Sequence, residues 1–388
     1  MNRTFLINGQ IYRDCHFESG VLEMTDGKIA LHPADFALPE CASVLDVCGK
    51  RIVPGFIDIH THGAVGVDVN GADVEGLEKI GRFFAENGTT GWLCSVLTDT
   101  PKQTGCAIGA YREYRRRRED SGDAVSGAGL LGIHLEGPFL SPVYRGAMPE
   151  HLLRTGDAAL VAEYQKLADG GIRYITVSPE VDGVIEMIPA LKELGIVVSI
   201  GHSGADYATA MQAIRAGAAA ATHTGNAMRL LHQHEPAIFG AALESDIYCE
   251  MICDGRHLHP GTVRLIAKTK GMDRVVAITD SIMAAGLPDG KYHLGVNPVV
   301  VKDGDAVLES DGTRAGSTLT QAQALKNLLA FTGKPLEEIL PLLTENPARL
   351  TGFFDRKGSI AEGKDADLTI LDEDNNVDQV YVGGVRVV

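Results

Sequence analysis

Two histidines one residue apart, His60 and His62, close the apolar run "PGFIDIHTHG". In a strand, side chains at i and i+2 share a face, so both imidazoles aim at one point, which is a metal-ligand spacing. Four more polar residues close apolar runs: Glu136 in "GIHLEGP", His202 in "IGHS", His223 in "THTGN" and Asp280 in "ITDS". Singly, each has a structural alternative: His134 and His202 as satisfied core histidines, Asp280 as a helix cap, Glu136 as an ion-pair partner. Jointly they form a nitrogen and oxygen donor set suited to Zn²⁺, Fe²⁺ or another divalent ion. Six donors exceed what one tetrahedral ion needs, so two ions per chain are expected. His60, His62 and Asp280 would hold one and His202 and His223 the other, with Glu136 bridging. Such a pair activates a shared water as nucleophile at neutral pH. Asp280, touching that water, would serve as general base and then as general acid.

Donors so scattered need a fold that gathers strand ends. Eight apolar runs precede helical stretches, ending near "IVPGFIDIH", "TGWLCSVLT", "LLGIHLE", "RYITVSP", "IVVSIGH", "AAATHT", "IYCEMICD" and "VVAITD". Helical patterns such as "VEGLEKIGRFFAENG" and "ADYATAMQAIRAG" lie between them, several stopping at glycine. Alternating strand and helix eight times predicts an α/β protein of the (β/α)8 TIM-barrel type, in which polar residues at the C-terminal strand ends form the active site. The first fifty residues read differently, as short strands with Asn8-Gly9 and Asp26-Gly27 as hairpin signals. The tail "GSIAEGKDADLTILDEDNNVDQVYVGGVRVV" has the same style. The expected organisation is a small β-sandwich from residues 1–53 plus 355–388, beside a catalytic barrel over residues 54–354. With 388 residues, 45% of them hydrophobic, the chain suffices for both.

A formal net charge of −16 argues against nucleic acid and anionic membrane surfaces as partners. Arg115 to Arg118, flanked by Glu113, Glu119 and Asp120, read as a solvated helix face. Seven cysteines without a Cys-x-x-Cys pair imply neither a disulfide framework nor a thiolate zinc site, and reduced thiols fit a cytoplasmic location. No stretch approaches the roughly 18 apolar residues of a membrane span, and the N-terminus lacks an apolar signal core.

At these residues the sequence resembles the amidohydrolase superfamily and, within it, the N-acetylglucosamine-6-phosphate deacetylase family. The resemblance runs through nearly the whole chain: "PGFIDIHTHG", "GIHLEGPF", "GHS", "TH-x-x-NAM", "IYCEMICDGRHLHP", "ITDS", "GSTLT", "NPARLTG" and "KGSIAEGKDADLTILD". Many superfamily members bridge their metals with a modified lysine from the fourth strand. "RYITVSPE" has none, and Glu136 takes that place, as in this deacetylase family. The resemblance implies removal of an N-acetyl group from an amino-sugar phosphate, with Asp280 protonating the departing amine and His257 of "DGRH" contacting the substrate. It places the backbone amides of Asn226 and Ala227 near the phosphate, and it implies a homodimer in which His234 reaches the neighbour's pocket.

Departures from the family pattern fall where substrate is chosen. Met148 stands where the family often has histidine, and a thioether cannot donate a hydrogen bond. His234 of "HQHEPA" replaces the usual arginine, and imidazole offers only a fraction of a charge at neutral pH. "HTGN" replaces "HLFN" or "HLYN", while Arg145, Arg229 and Arg256 are nearby candidates for an anion site. Hydrolysis of N-acetylglucosamine 6-phosphate is therefore the leading expectation. The alternatives are a different or unphosphorylated N-acetyl-hexosamine or other small amide, and a non-catalytic sugar-binding regulator. The segment "MAAGLPDGKYHLG" after Asp280 is a candidate lid.

Overall fold

The computed structural model describes residues 3–121 and 126–388. Eight parallel strands follow one another in chain order: β1 (Phe56–Thr61), β2 (Thr89–Leu97), β3 (Gly129–Glu136), β4 (Ile172–Val177), β5 (Val197–Ile200), β6 (Ala220–Ala221), β7 (Tyr248–Ile252) and β8 (Val275–Ile278). A parallel bridge between Thr61 and Ser281 closes the sheet into the expected barrel. The Asp280 amide donates to the His60 carbonyl at 2.9 Å and the His62 amide to the Ser281 carbonyl at 2.7 Å, so this seam runs between ligand-type residues.

Helices cover the outside because their apolar spacing matches the strands beneath. In Val74–Glu86, Val74, Leu77, Ile80 and Phe84 recur at three- and four-residue intervals and are buried. Asp73 caps the start through the Gly76 amide at 2.8 Å, and Gly88, with φ +80°, follows the end. Phe84 meets Trp92 of β2 edge to face at 5.2 Å. Its truncation to alanine would cost about 3–5 kcal/mol. The charged face of Pro101–Ser121 is solvated as expected, with Arg116 and Arg117 paired to Glu113 and Arg117 also to Glu75. The side chains of Glu119 and Asp120 lie outside the described residues.

A second, eight-stranded sheet takes its strands from both ends of the chain. Arg51–Pro54 lies between Arg3–Arg13, which it pairs in parallel, and Leu368–Leu371, which it pairs antiparallel. The sheet curls around Leu6, Ile11, Leu22, Ile52, Leu368 and Ile370, and Lys28 bridges to Asp365 where its far edge returns. Asp26-Gly27, with φ 49° and 76°, makes the expected hairpin turn. Asn8-Gly9 does not. It is a bulge inside Arg3–Arg13, where the strand shifts its partner from Ser43–Asp46 to Arg51–Pro54, and the first hairpin turns instead at Asp14 and Cys15, with φ 46° and 62°. Only Gly55 separates Arg51–Pro54 from β1, and a Cβ there would lie 2.1 Å from the Thr90 side chain.

After β8 the chain inserts a three-stranded antiparallel sheet, Gly290–Leu294, Asn297–Lys302 and Asp305–Leu308, before the helix Gln321–Thr332. The segment expected as a lid is thus partly strand: its last residues form the first strand of this insert.

Candidate active site

All six ligand-type residues converge at the C-terminal mouth of the barrel and are buried. His60, His62 and Asp280 form one group of donors and Glu136, His202 and His223 a second, each with its donor atoms within 4.8 Å of one another. Glu136 stands between them. Its Oε2 is 3.2 Å from His62 Nε2, while Oε1 is 3.1 Å from His202 Nε2 and 3.3 Å from His223 Nε2. Asp280 Oδ1 is 3.2 Å from His62 Nε2 and 3.6 Å from His60 Nε2.

Each imidazole is oriented from behind. The Nδ1–H groups donate to Glu250 from His60 at 3.1 Å, to the Ser95 carbonyl from His62 at 3.1 Å, to the Tyr144 carbonyl from His202 at 2.9 Å and to the Asn226 carbonyl from His223 at 3.2 Å. Carboxylates and carbonyls accept only, so each Nδ1 carries a proton and, in the neutral ring, every Nε2 turns its lone pair to the centre. His60 Nε2 is buried without a hydrogen bond. An orphaned imidazole nitrogen beside two carboxylates, with three further Nε2 atoms around them, fits a divalent-cation centre.

The backbone bends to achieve this. His202, His223 and Asp280 each lie two residues beyond the end of a short strand and take φ of 46°, 29° and 49°, a left-handed conformation that costs roughly 1–3 kcal/mol per residue and persists where the surroundings enforce it. Around Asp280 the enforcement comes from "GST": the Ser317 amide donates to the Asp280 carbonyl at 2.7 Å, and a Cβ on Gly316 would lie 2.8 Å from that oxygen.

Charges in the cluster compensate one another. Burial opposes protonation of His60 and His62, but Asp280 and Glu136 outweigh it, raising His60 well above its ordinary range and His62 to about 9. Burial likewise opposes ionisation of Glu136 and Asp280, and the surrounding histidines reverse it and lower both. His134 behaves otherwise: burial, helped by the charge on His60, holds it well below its ordinary range. It is the satisfied core histidine that the sequence allowed, bonded to Ser95 at 2.8 Å and Thr176 at 2.9 Å. Thr176, Thr222 and Ser199 extend this chain of hydrogen bonds beneath the ligands.

One buried residue escaped the sequence reading. Glu250 of β7 accepts from Tyr174 at 2.6 Å and from the His223 amide at 3.0 Å, besides His60. Burial and the facing Glu250 raise the Tyr174 pKa well above its ordinary range, keeping a proton available to donate. The signal was a lone carboxylate inside "IYCEMI", at a position whose pleat parity points into the barrel.

Above the donors opens a cavity of about 450 Å³. Met148, Asn226, Ala227 and His257 line it, as does Arg145. His257 is held by Asp254, its Nδ1 2.7 Å from Oδ2. Met148 packs in an apolar wall with Leu97 and Leu294. The insert adds Asp311 and Arg314, which the sequence did not single out, and Asp305 already holds Arg314 with two bonds of 3.0 and 3.1 Å. Arg229 and His234 are exposed and lie outside the lining of this cavity. Arg256 turns away to the Asp303 carbonyl. The seven cysteines are free, and no helix among the described residues is long and apolar enough to cross a membrane.

The amidohydrolase family model matches residues 51–387. The chain is 38% identical to the N-acetylglucosamine-6-phosphate deacetylase of Bacillus subtilis over 362 residues, 93% of this chain and 90% of the relative. It is 33% identical to the N-acetylgalactosamine-6-phosphate deacetylase of Escherichia coli O157:H7, covering 94% of this chain and 93% of that one. In three dimensions it is similar to a mutant N-acetyl-D-glucosamine-6-phosphate deacetylase from Mycobacterium smegmatis solved with N-acetyl-D-glucosamine-6-phosphate, with TM-score 0.91, 31% identity and full coverage of both chains.

Proposed function

The chain belongs to the amidohydrolase family, and on that premise we propose that it hydrolyses the acetamide of an amino-sugar phosphate, N-acetylglucosamine 6-phosphate first, giving glucosamine 6-phosphate and acetate. The observation that carries this reading is Asp280 Oδ1 at 3.2 Å from His62 Nε2, on the floor of a cavity walled by Asn226, His257 and Arg145. His60, His62 and Asp280 would hold one divalent ion, and His202, His223 and Glu136 a second, zinc or iron. A bound divalent ion supplies Lewis acidity, lowering the pKa of a water and polarising the amide carbonyl.

The chain's own groups do the rest. Asp280 takes the proton of the attacking water and returns it to the amine nitrogen as the C–N bond breaks. Glu136 spans both donor groups and fixes their spacing. His257, its Nδ1 held by Asp254, turns its other nitrogen to the sugar. The backbone at Asn226 and Ala227 and the guanidinium of Arg145 face the substrate's polar end, while Met148 offers an apolar surface. Arg229 and His234 sit beside the exposed Leu230 and Leu231, and in the proposed homodimer these leucines are covered and His234 meets the partner's cavity. The barrel of residues 54–354 carries the chemistry, and the sheet of residues 1–53 and 355–388 braces it.

The deciding experiment measures acetate release from N-acetylglucosamine 6-phosphate, N-acetylgalactosamine 6-phosphate and plain N-acetylglucosamine. The glucosamine phosphate should give the highest kcat/KM. Equal use of the plain sugar would show that the phosphate is not recognised, and preference for the galactosamine phosphate would change the sugar but keep the chemistry.

A further inference from the structure

Glu250 reaches both halves of the donor cluster from a position that touches neither ion site directly. It is fully buried at the middle of β7, with its side chain inside the barrel. Three donors converge on it. Tyr174 takes Oε1 at 2.6 Å, whereas Oε2 is shared by His60 Nδ1 at 3.1 Å and the His223 amide at 3.0 Å. His60 is the ion-pair partner it has among the described residues.

The two contacts are chemically unequal. At His60 the carboxylate accepts from the ring itself, which fixes the tautomer, aims the unpartnered Nε2 and raises its donor strength. At His223 it accepts only from the main chain, while the ring is set by the Asn226 carbonyl. The other ligands of the second group, His202 and Glu136, have no bond to Glu250; His202 is set by the Tyr144 carbonyl. A buried carboxylate needs a compensating positive charge, and an ion on His60 Nε2 supplies it through the imidazole.

We propose that Glu250 is a positioning residue that selectively strengthens the ion site of His60, His62 and Asp280, making it depend on a side chain that the His202, His223 and Glu136 site does not need. This rests on the two-ion reading above. An amide in place of the carboxylate keeps the size but has a single acceptor oxygen, so it cannot serve Tyr174, His60 and the His223 amide together.

The test separates the two sites with reference variants. His202→Asn leaves the His60, His62 and Asp280 position for measurement, and His60→Asn leaves the other. Zinc affinity is read by competition with a chromophoric chelator, and zinc per chain by mass spectrometry. Glu250→Gln should weaken zinc about 10–100-fold in the His202→Asn background and less than about 3-fold in the His60→Asn background, judged against that same range. Equal weakening in both, as a merely structural residue would give, overturns the proposal, and so does no weakening in either. Should Glu250→Gln fail to melt cooperatively, Tyr174→Phe replaces it. That variant removes one donor and should weaken zinc several-fold in the first background only, equal effects again being the overturning result. A wild-type chain that hydrolyses the sugar phosphate while these affinities fail the pattern refutes Glu250's role alone. Two ions bound in the predicted pattern without hydrolysis of any N-acetyl sugar refutes the proposed function alone.

Discussion

The Nε2 atoms of His202 and His223 stand 3.0 Å apart. Both Nδ1–H groups are committed to main-chain carbonyls, so two lone pairs confront each other and only a cation or a proton relieves them. Stripping divalent ions with a chelator should therefore lower Tm by several degrees and abolish deacetylation, with zinc restoring both. Ligand linkage sets the scale, at about 2.7 kcal/mol for an ion at one hundred times its Kd. Differential scanning calorimetry with and without chelator provides the check, and an unchanged Tm would refute an ion between these rings.

Asp280→Asn keeps the shape of the side chain and one donor oxygen but removes the proton carrier. Turnover should fall at least about 10²-fold, with the fold intact and much of the metal retained. Steady-state kinetics beside metal analysis distinguishes this from simple loss of the ion. Near-normal kcat would remove Asp280 from proton transfer.

His62 sets a pH dependence. Its pKa of about 9 in the folded cluster exceeds the ordinary 6.5, because Asp280 and Glu136 outweigh the opposing effect of burial. In the chelated chain its contribution to stability is complete below about pH 6.5 and disappears as pH rises through about 9. Ion binding needs the neutral ring, so each uptake expels a proton and apparent zinc affinity rises across the same window. Melting curves and chelator competition between pH 6 and 9 should show Tm of the chelated chain falling while zinc binds more tightly. A pH-independent affinity would contradict the assignment of His62 as a ligand.

Arg145 lines the cavity with its Nη1 donating to the Pro142 carbonyl at 2.6 Å, so the guanidinium is braced in place. Arg145→Ala should raise KM for the phosphorylated sugar about tenfold, the scale of one lost charge-assisted hydrogen bond, and leave kcat within a few-fold. The comparison with the plain sugar is decisive, since its KM should not move.

Leu230 and Leu231 are 59% and 54% exposed beside His234. If the proposed homodimer forms through these leucines, Leu231→Asp should shift the protein to monomer in sedimentation and raise KM for the sugar phosphate, His234 then losing the partner's cavity. A monomeric wild-type chain would refute the dimer, and a variant that stays dimeric with unchanged KM would remove Leu231 from its interface.

Legibility in the sequence followed periodicity. The barrel strands were readable because each ends an apolar run with a polar residue, and the six donors share that position. Glu250 was not, since it lies in mid-strand, where one acidic residue among apolar ones signals only a satisfied interior group. Asn8-Gly9 misled because a turn-prone pair also suits a bulge, and only the change of partner strand distinguishes them. The three-stranded insert of Gly290–Leu308 was hidden by its short strands and glycine-rich turns, and so were Asp311 and Arg314 in the segment that follows its last strand. Arg229 and His234 illustrate a different limit: nearness in sequence to Asn226 does not bring them to the same cavity in one chain.

The pairing of Arg51–Pro54 with Leu368–Leu371 also has a temporal meaning. A ribosome delivers His60 and His62 long before Leu368–Leu371, the strand that fastens their neighbours. Until then the first ligand strand is tethered through Gly55 to an edge that lacks its second partner. A nascent chain stalled before Leu368 should therefore present its histidines beside a strand, Arg51–Pro54, whose second edge is still uncovered.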